Sequence, residues 1–148
     1  MSRAIIIFLL LELFSFAHAE THYASIRVKQ SNIRCGPGKI YPIKFSYHLP
    51  NIPVEILDSF EDWTYVRDIE GDTGWINSSF ISKRNYAVTS TVTVGYEERF
   101  MGKPKPKVTI EPGVFLLVKK CNGDLCRVVV KKERLLVSKR DLMWVNES

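Results

Sequence analysis

From Tyr23 onward the chain offers only short strand-like runs cut by turn residues, with no stretch of helical periodicity long enough to form an element. The run over residues 24–34 ends at Gly36-Pro37-Gly38, through which no regular element continues. Residues 53–57 and 63–67 read as strands joined across Phe60-Glu61-Asp62. Side chains alternate along a strand, so Trp63, Tyr65 and Arg67 share one face while Thr64 and Val66 point to the other. That is the pattern of a core strand with a functional outer face. Glu70-Gly71-Asp72 turns the chain into Thr73-Gly74-Trp75-Ile76, and Ser78-Ser79-Phe80-Ile81 suggests a single helical turn. Short strands at this spacing predict an all-β fold made as a small barrel. A hydrophobic content of 45% with 25% charged residues is ordinary for a folded soluble protein and argues against disorder or fibrous structure.

The half from Asn85 repeats that outline, with strand-like runs over 92–95, 113–120, 126–132 and 135–138. In this alignment Asn122-Gly123 stands for Glu61-Asp62, and Cys126-Arg127-Val128-Val129 for Trp63-Thr64-Tyr65-Val66. Leu135-Leu136-Val137 then stands for Gly74-Trp75-Ile76, and Lys139-Arg140-Asp141-Leu142 for the helical turn. Lys103-Pro104-Lys105-Pro106-Lys107 is expected to be a basic loop, because proline cannot donate to a central ladder.

Residues 1–19 read as a secretory signal: Arg3 opens it, residues 4–11 are apolar, and Ala17-His18-Ala19 is a small-x-small cleavage site. A buried core helix or an uncleaved anchor is the alternative. Spanning needs about 20 apolar residues, whereas the stretch over 4–17 is shorter and carries Glu12. With no cysteine near the cleavage point, a lipid anchor on a new amino-terminal cysteine is not expected. Cleavage leaves 148 − 19 = 129 residues, enough for two barrels over 20–84 and 85–148. The mature product is expected to be periplasmic or secreted, with no membrane span.

An oxidising compartment permits disulfides. Cys121 and Cys126 lie across an Asn-Gly hairpin signal and are expected to bridge, leaving Cys35 as a small buried residue. The bridge closes a short loop, so it should mainly fix the turn. The mature chain offers too few Cys and His for a zinc site, and neither metal nor cofactor is expected.

Asn32-Ile33-Arg34-Cys35-Gly36-Pro37-Gly38, Tyr41-Pro42-Ile43, Pro53-Val54-Glu55-Ile56, Trp63 and Gly74-Trp75-Ile76 together resemble the bacterial SH3 domain. The resemblance is close over residues 23–84 and holds in outline over 87–145, as in exported proteins with tandem copies of which the second is degenerate. It implies a non-catalytic binding protein that recognises peptidoglycan, as cell-wall peptide, or another cell-envelope ligand. The alternative is a protein–protein adaptor acting in or beyond the envelope. Family grooves are lined by aromatic and polar residues from the first loop and the hairpin strands, which implies ligand-binding roles for Arg34, Tyr41, Trp63 and Trp75. Tyr47 and Tyr65 are further aromatic candidates. Eukaryotic relatives bind proline-rich peptides with a proline and a tyrosine where this chain has Asn77 and Phe80, so that ligand is not expected.

Cys35 and His48 are the available nucleophile and base, with no orienting third group in the sequence. No acid pair between Glu55 and Asp72 has the marks of a glycosidase, and the chain is not expected to be an enzyme. Residues 20–84 carry eight cations and eight acids, whereas residues 85–148 carry 12 − 7 = +5, the whole net charge. A solvated face is the default for such lysines. The sharper reading is docking of the second half on an anionic envelope polymer, a lipid surface or an acidic protein. Export argues against nucleic acid.

Overall fold

The computed structural model describes residues 21–146, so the expected signal over residues 1–19 lies outside the described residues. Within them the chain is all-β. The first barrel comprises β1 (His22–Ile26), β2 (Ser31–Arg34), β3 (Ile43–Tyr47), β4 (Ile52–Phe60), β5 (Trp63–Arg67), β6 (Thr73–Asn77) and β7 (Ile81–Ser82). A single 3-10 turn, Ser78–Phe80, precedes β7, with the Asn77 side chain accepting from the Ser79 N–H as its cap. The second comprises β8 (Tyr86–Thr89), β9 (Thr93–Glu97), β10 (Lys105–Ile110), β11 (Phe115–Asn122), β12 (Leu125–Val130), β13 (Glu133–Ser138) and β14 (Leu142–Met143), again with a 3-10 turn, Lys139–Asp141.

The sheets run β3-β2-β6-β5-β4-β1-β7 and β10-β9-β13-β12-β11-β8-β14, the same order shifted by seven strands. Each encloses its own core. Ile26, Ile33, Val54, Val66 and Ile76 are buried in the first, and Leu116, Cys126, Val128, Leu135 and Val137 in the second. The two cores touch through Phe115 of β11, which packs against the first. A polar clasp closes the same seam. The Asn146 side chain accepts from the Tyr23 N–H at 2.9 Å and donates to the Tyr23 carbonyl at 3.0 Å, as a neighbouring strand would. The Trp144 ring stacks on Tyr23 at 5.3 Å.

The pairing corrects the internal alignment expected from sequence. Phe60 faces Trp63 across a two-residue turn, Glu61-Asp62, and Asn122 faces Leu125 across Gly123-Asp124. Leu125, not Cys126, therefore stands at the Trp63 position, and Cys126 corresponds to the buried Thr64. Strand side chains have period two, so a one-residue slip exchanges the faces. The β13 alignment is unaffected, because Leu136 faces Arg127 as Trp75 faces Tyr65.

The proline-spaced segment also differs from expectation. Lys105, Pro106 and Lys107 belong to β10 rather than to a loop. β10 is an edge strand with a register shift between Pro106 and Val108, and an edge tolerates a residue that cannot donate. Residues 24–34, a single run in the sequence, divide into β1 and β2 around a turn over 27–30.

Candidate functional site

The outer face of the first barrel is assembled by register. Trp63 faces Asn77, Tyr65 faces Trp75, and Arg34 of β2 faces Trp75 from the other side. The inward partners on these strands, Val66, Ile76 and Ile33, are buried, so alternation turns the aromatic and polar set outward. Trp75 and Tyr65 pack ring against ring at 5.1 Å, and the Tyr65 hydroxyl donates to Thr73 Oγ1 at 3.0 Å.

Beside this pair lies an open groove of about 600 Å³, within the range of small-ligand sites, walled by Asn32, Arg34, Lys39, Trp63, Asn77 and Phe80. Arg34 Nη1 donates to the carbonyls of Lys39 at 3.1 Å and Tyr41 at 2.8 Å, which fixes the guanidinium at the groove edge. Its Nε and Nη2 have no partner among the described residues. Asn32 Oδ1 accepts from Ser46 Oγ at 2.7 Å, and Asn77 Oδ1 accepts from the Ser79 N–H and hydroxyl. Each amide thus spends its acceptor on the protein, and among the described residues its two N–H donors have no partner. Ser31, also on the wall, is 3% exposed, and its hydroxyl is unpaired among the described residues. Among the described residues no acidic side chain lines the groove. It is a donor-rich, cationic cleft whose lining includes an indole and a phenyl ring.

Of the four residues singled out from the sequence, Arg34 and Trp63 meet in this groove. Trp75 packs against Tyr65 and does not line the groove, and Tyr41 folds back over the turn. A Cβ on Gly36 would lie 2.4 Å from the Tyr41 ring, so that ring needs glycine beneath it. Cys35 is exposed, against the expectation of a buried residue. Alternation would turn it inward after Arg34, but the chain leaves the sheet there and Gly36 takes the buried place beneath Tyr41. Cys35 and His48 follow opposite ends of the β2–β3 ladder, in which Arg34 faces Ile43 and Ser31 faces Tyr47.

Tyr47 is structural. Its hydroxyl donates to Asp68 Oδ2 at 2.5 Å, and Asp68 Oδ1 accepts from the N–H groups of Glu70 and Asp72, fixing the β5–β6 turn. Burial first, and then the bond to the Asp68 carboxylate, push the Tyr47 phenol well above the usual tyrosine range. Asn32, Asn77, Ser31 and Lys39 were not singled out from the sequence as site residues. Asn77 occupies the groove position where the eukaryotic relatives carry a proline, and the register sets it opposite Trp63.

Residues 27–83 match the family model of the bacterial SH3 domain. This segment is a bacterial SH3 domain. It contains β2 to β6 and hence the whole groove, with Trp63 and Arg34 on the outer face of the SH3 sheet. No curated protein matches the chain. Among solved structures, NlpC1 from Trichomonas vaginalis is similar at 10% identity and a TM-score of 0.41, over 88% of this chain and 48% of that one. NlpC2 from the same organism gives 9% and 0.40, over 84% and 48%. An NlpC/P60 family protein from Bacillus cereus gives 12% and 0.37, over 84% and 56%. The chain spans about half the length of these proteins.

In the second barrel the positions equivalent to Trp63, Tyr65, Trp75 and Asn77 carry Leu125, Arg127, Leu136 and Ser138. Arg127 is held by Glu98 through two hydrogen bonds, and Cys121 and Cys126 form a disulfide at the base of the β11–β12 turn. Among the described residues no His, Cys, Asp or Glu cluster has the grouping of a metal site. No helix among them is long and apolar enough to cross a membrane.

Proposed function

We propose that the protein is an exported, non-catalytic binding protein whose first barrel recognises peptide of the cell wall. The observation that carries this is the donor set of the groove: Arg34, Lys39 and the free amide N–H groups of Asn32 and Asn77 converge with no acid among them. Wall peptides present carbonyls and free carboxylates along an extended backbone. Charge-assisted bonds from a guanidinium to carboxylate are the stronger kind and fix orientation, while Trp63 and Phe80 cover the apolar parts of the chain. The bacterial SH3 match over residues 27–83 supports the same class of ligand. The second barrel, with leucines and a paired arginine in place of the aromatic set, serves as a companion and not as a second groove.

Cosedimentation with purified sacculi tests this. The wild-type chain is expected in the pellet, and Trp63→Ala in the supernatant with its far-ultraviolet circular dichroism unchanged. Leu125→Ala, at the equivalent place in the second barrel, is expected to pellet like wild type. A wild-type chain that stays in the supernatant at low salt would overturn the proposal, and so would a Trp63→Ala chain that pellets like wild type.

A further inference from the structure

The groove leaves the basic, proline-spaced segment unexplained. β9 and β10 are joined by residues 98–104, whose tip carries Phe100 at 103% and Met101 at 80% exposure. Gly102 beside them has φ +93°, with nothing within 4 Å of where its Cβ would sit, so the tip stands clear of the barrel. Arg99 and Lys103 flank this apolar pair along the chain, and Lys105 opens β10 just beyond it. Among the described residues none of the three joins an ion pair, whereas nearby acids are engaged: Glu98 by Arg127 and Glu133 by Lys107. Glu97 faces Lys105 across the ladder. The unengaged charges at the tip are therefore three cations and one acid.

We propose that this tip seats on a bilayer with anionic headgroups, Phe100 and Met101 entering the interface while Arg99, Lys103 and Lys105 rest on the lipid charges. Interfacial binding grows with buried apolar area and with attraction to anionic lipid, and the tip presents both on one convex projection. A soluble anionic polymer would satisfy the cations but leave the phenyl ring and thioether in water. A protein partner would need a fitted pocket, which a fluid interface does not require. Pro104 and Pro106 restrict the backbone beside the tip, which lowers the cost of ordering it. Two apolar side chains give a weak, reversible contact, since even one myristoyl chain binds only marginally.

The full chain carrying Phe100→Trp is mixed with vesicles of one-third phosphatidylglycerol in phosphatidylcholine, with and without brominated acyl chains. Relative to the unsubstituted chain, the introduced indole is expected to shift to the blue and to be quenched by the brominated lipid. Each cation near such a surface strengthens binding about fivefold, so Lys103→Gln should weaken partitioning by about that factor. Trp63→Ala should leave the quenching unchanged, which separates this contact from the groove of the first barrel. Absence of quenching would overturn the proposal, as would equal quenching in pure phosphatidylcholine or loss of quenching in Trp63→Ala. Self-association abolished by Phe100→Ser would also overturn it. That result would place Phe100 against a second copy, in a groove such as the one lined by Val108, Ile110, Val130 and Leu135.

Discussion

Adding one methyl group at Gly74 probes the packing that sets β6 against β2. A Cβ there would lie 2.3 Å from Ile33 Cγ2 and 3.0 Å from the Arg34 carbonyl oxygen. Ile33 is 0% exposed, so its side chain has no open space into which to move. Inserting a methylene into a filled core costs about 1–3 kcal/mol, and a contact this short places Gly74→Ala near the upper end. Alanine in a strand recovers about 0.5–1 kcal/mol of backbone entropy, leaving a net loss of about 2–2.5 kcal/mol. Ile33→Ala alone should cost about 2–5 kcal/mol. The double variant removes the clashing Cγ2, so its loss should fall short of the sum by about 1–3 kcal/mol. Urea unfolding followed by tryptophan fluorescence measures all three, since Trp63 and Trp75 report on the first barrel. Additivity within about 0.5 kcal/mol would refute the reasoning. In the second barrel the same site has exchanged its bulk: Gly95 stands at the Ile33 position and Leu135 at the Gly74 position. A Cβ on Gly95 would lie 2.8 Å from Leu135 Cδ1, so Gly95→Ala with Leu135→Ala should couple with the same sign.

Asn146→Ala removes both bonds to the Tyr23 backbone and should destabilise the joined barrels by about 2 kcal/mol, read as a lower and less cooperative thermal transition. An unchanged melting curve would show that the clasp holds nothing. Tyr47 keeps its proton in the folded chain to higher pH than in the unfolded chain, whose phenol titrates near 10. The folded state therefore binds more protons above that pH, and stability present below about pH 10 should fall as pH rises further. Tyr47→Phe should flatten that alkaline slope in urea midpoints, and a slope equal to wild type would contradict the assignment. Reducing the Cys121–Cys126 disulfide, whose loop is short, should lower the stability of the second barrel by about 2 kcal/mol. Chemical unfolding with and without a phosphine reductant tests it.

The all-β class, the strand that carries Trp63 and Tyr65, and the single turn after Asn77 were legible because alternation and turn residues are local signals. The β12 alignment was not. Asn122-Gly123 is a strong turn signal, yet Asn122 ends β11 opposite Leu125, and which two residues form the turn depends on cross-strand pairing. β3 and β8 were missed for a related reason, since each is short and takes its place from its neighbours. Cys35 was misread because exit from a strand is decided by the following turn, here Gly36 beneath the Tyr41 ring. At the site, aromatic residues stand out in a sequence, but polar donors such as Asn32 and Asn77 do not. What makes those amides useful is that Ser46 and Ser79 occupy their acceptors, and this exists only in three dimensions.

The most direct test of the binding role is a heteronuclear NMR titration of the full chain with a soluble muropeptide. The expected result is movement of the Trp63 indole N–H and of the Asn32 and Asn77 side-chain amides, with the signals of Leu125, Arg127 and Leu136 still. A spectrum unchanged at saturating peptide, or shifts confined to the second barrel, would contradict it.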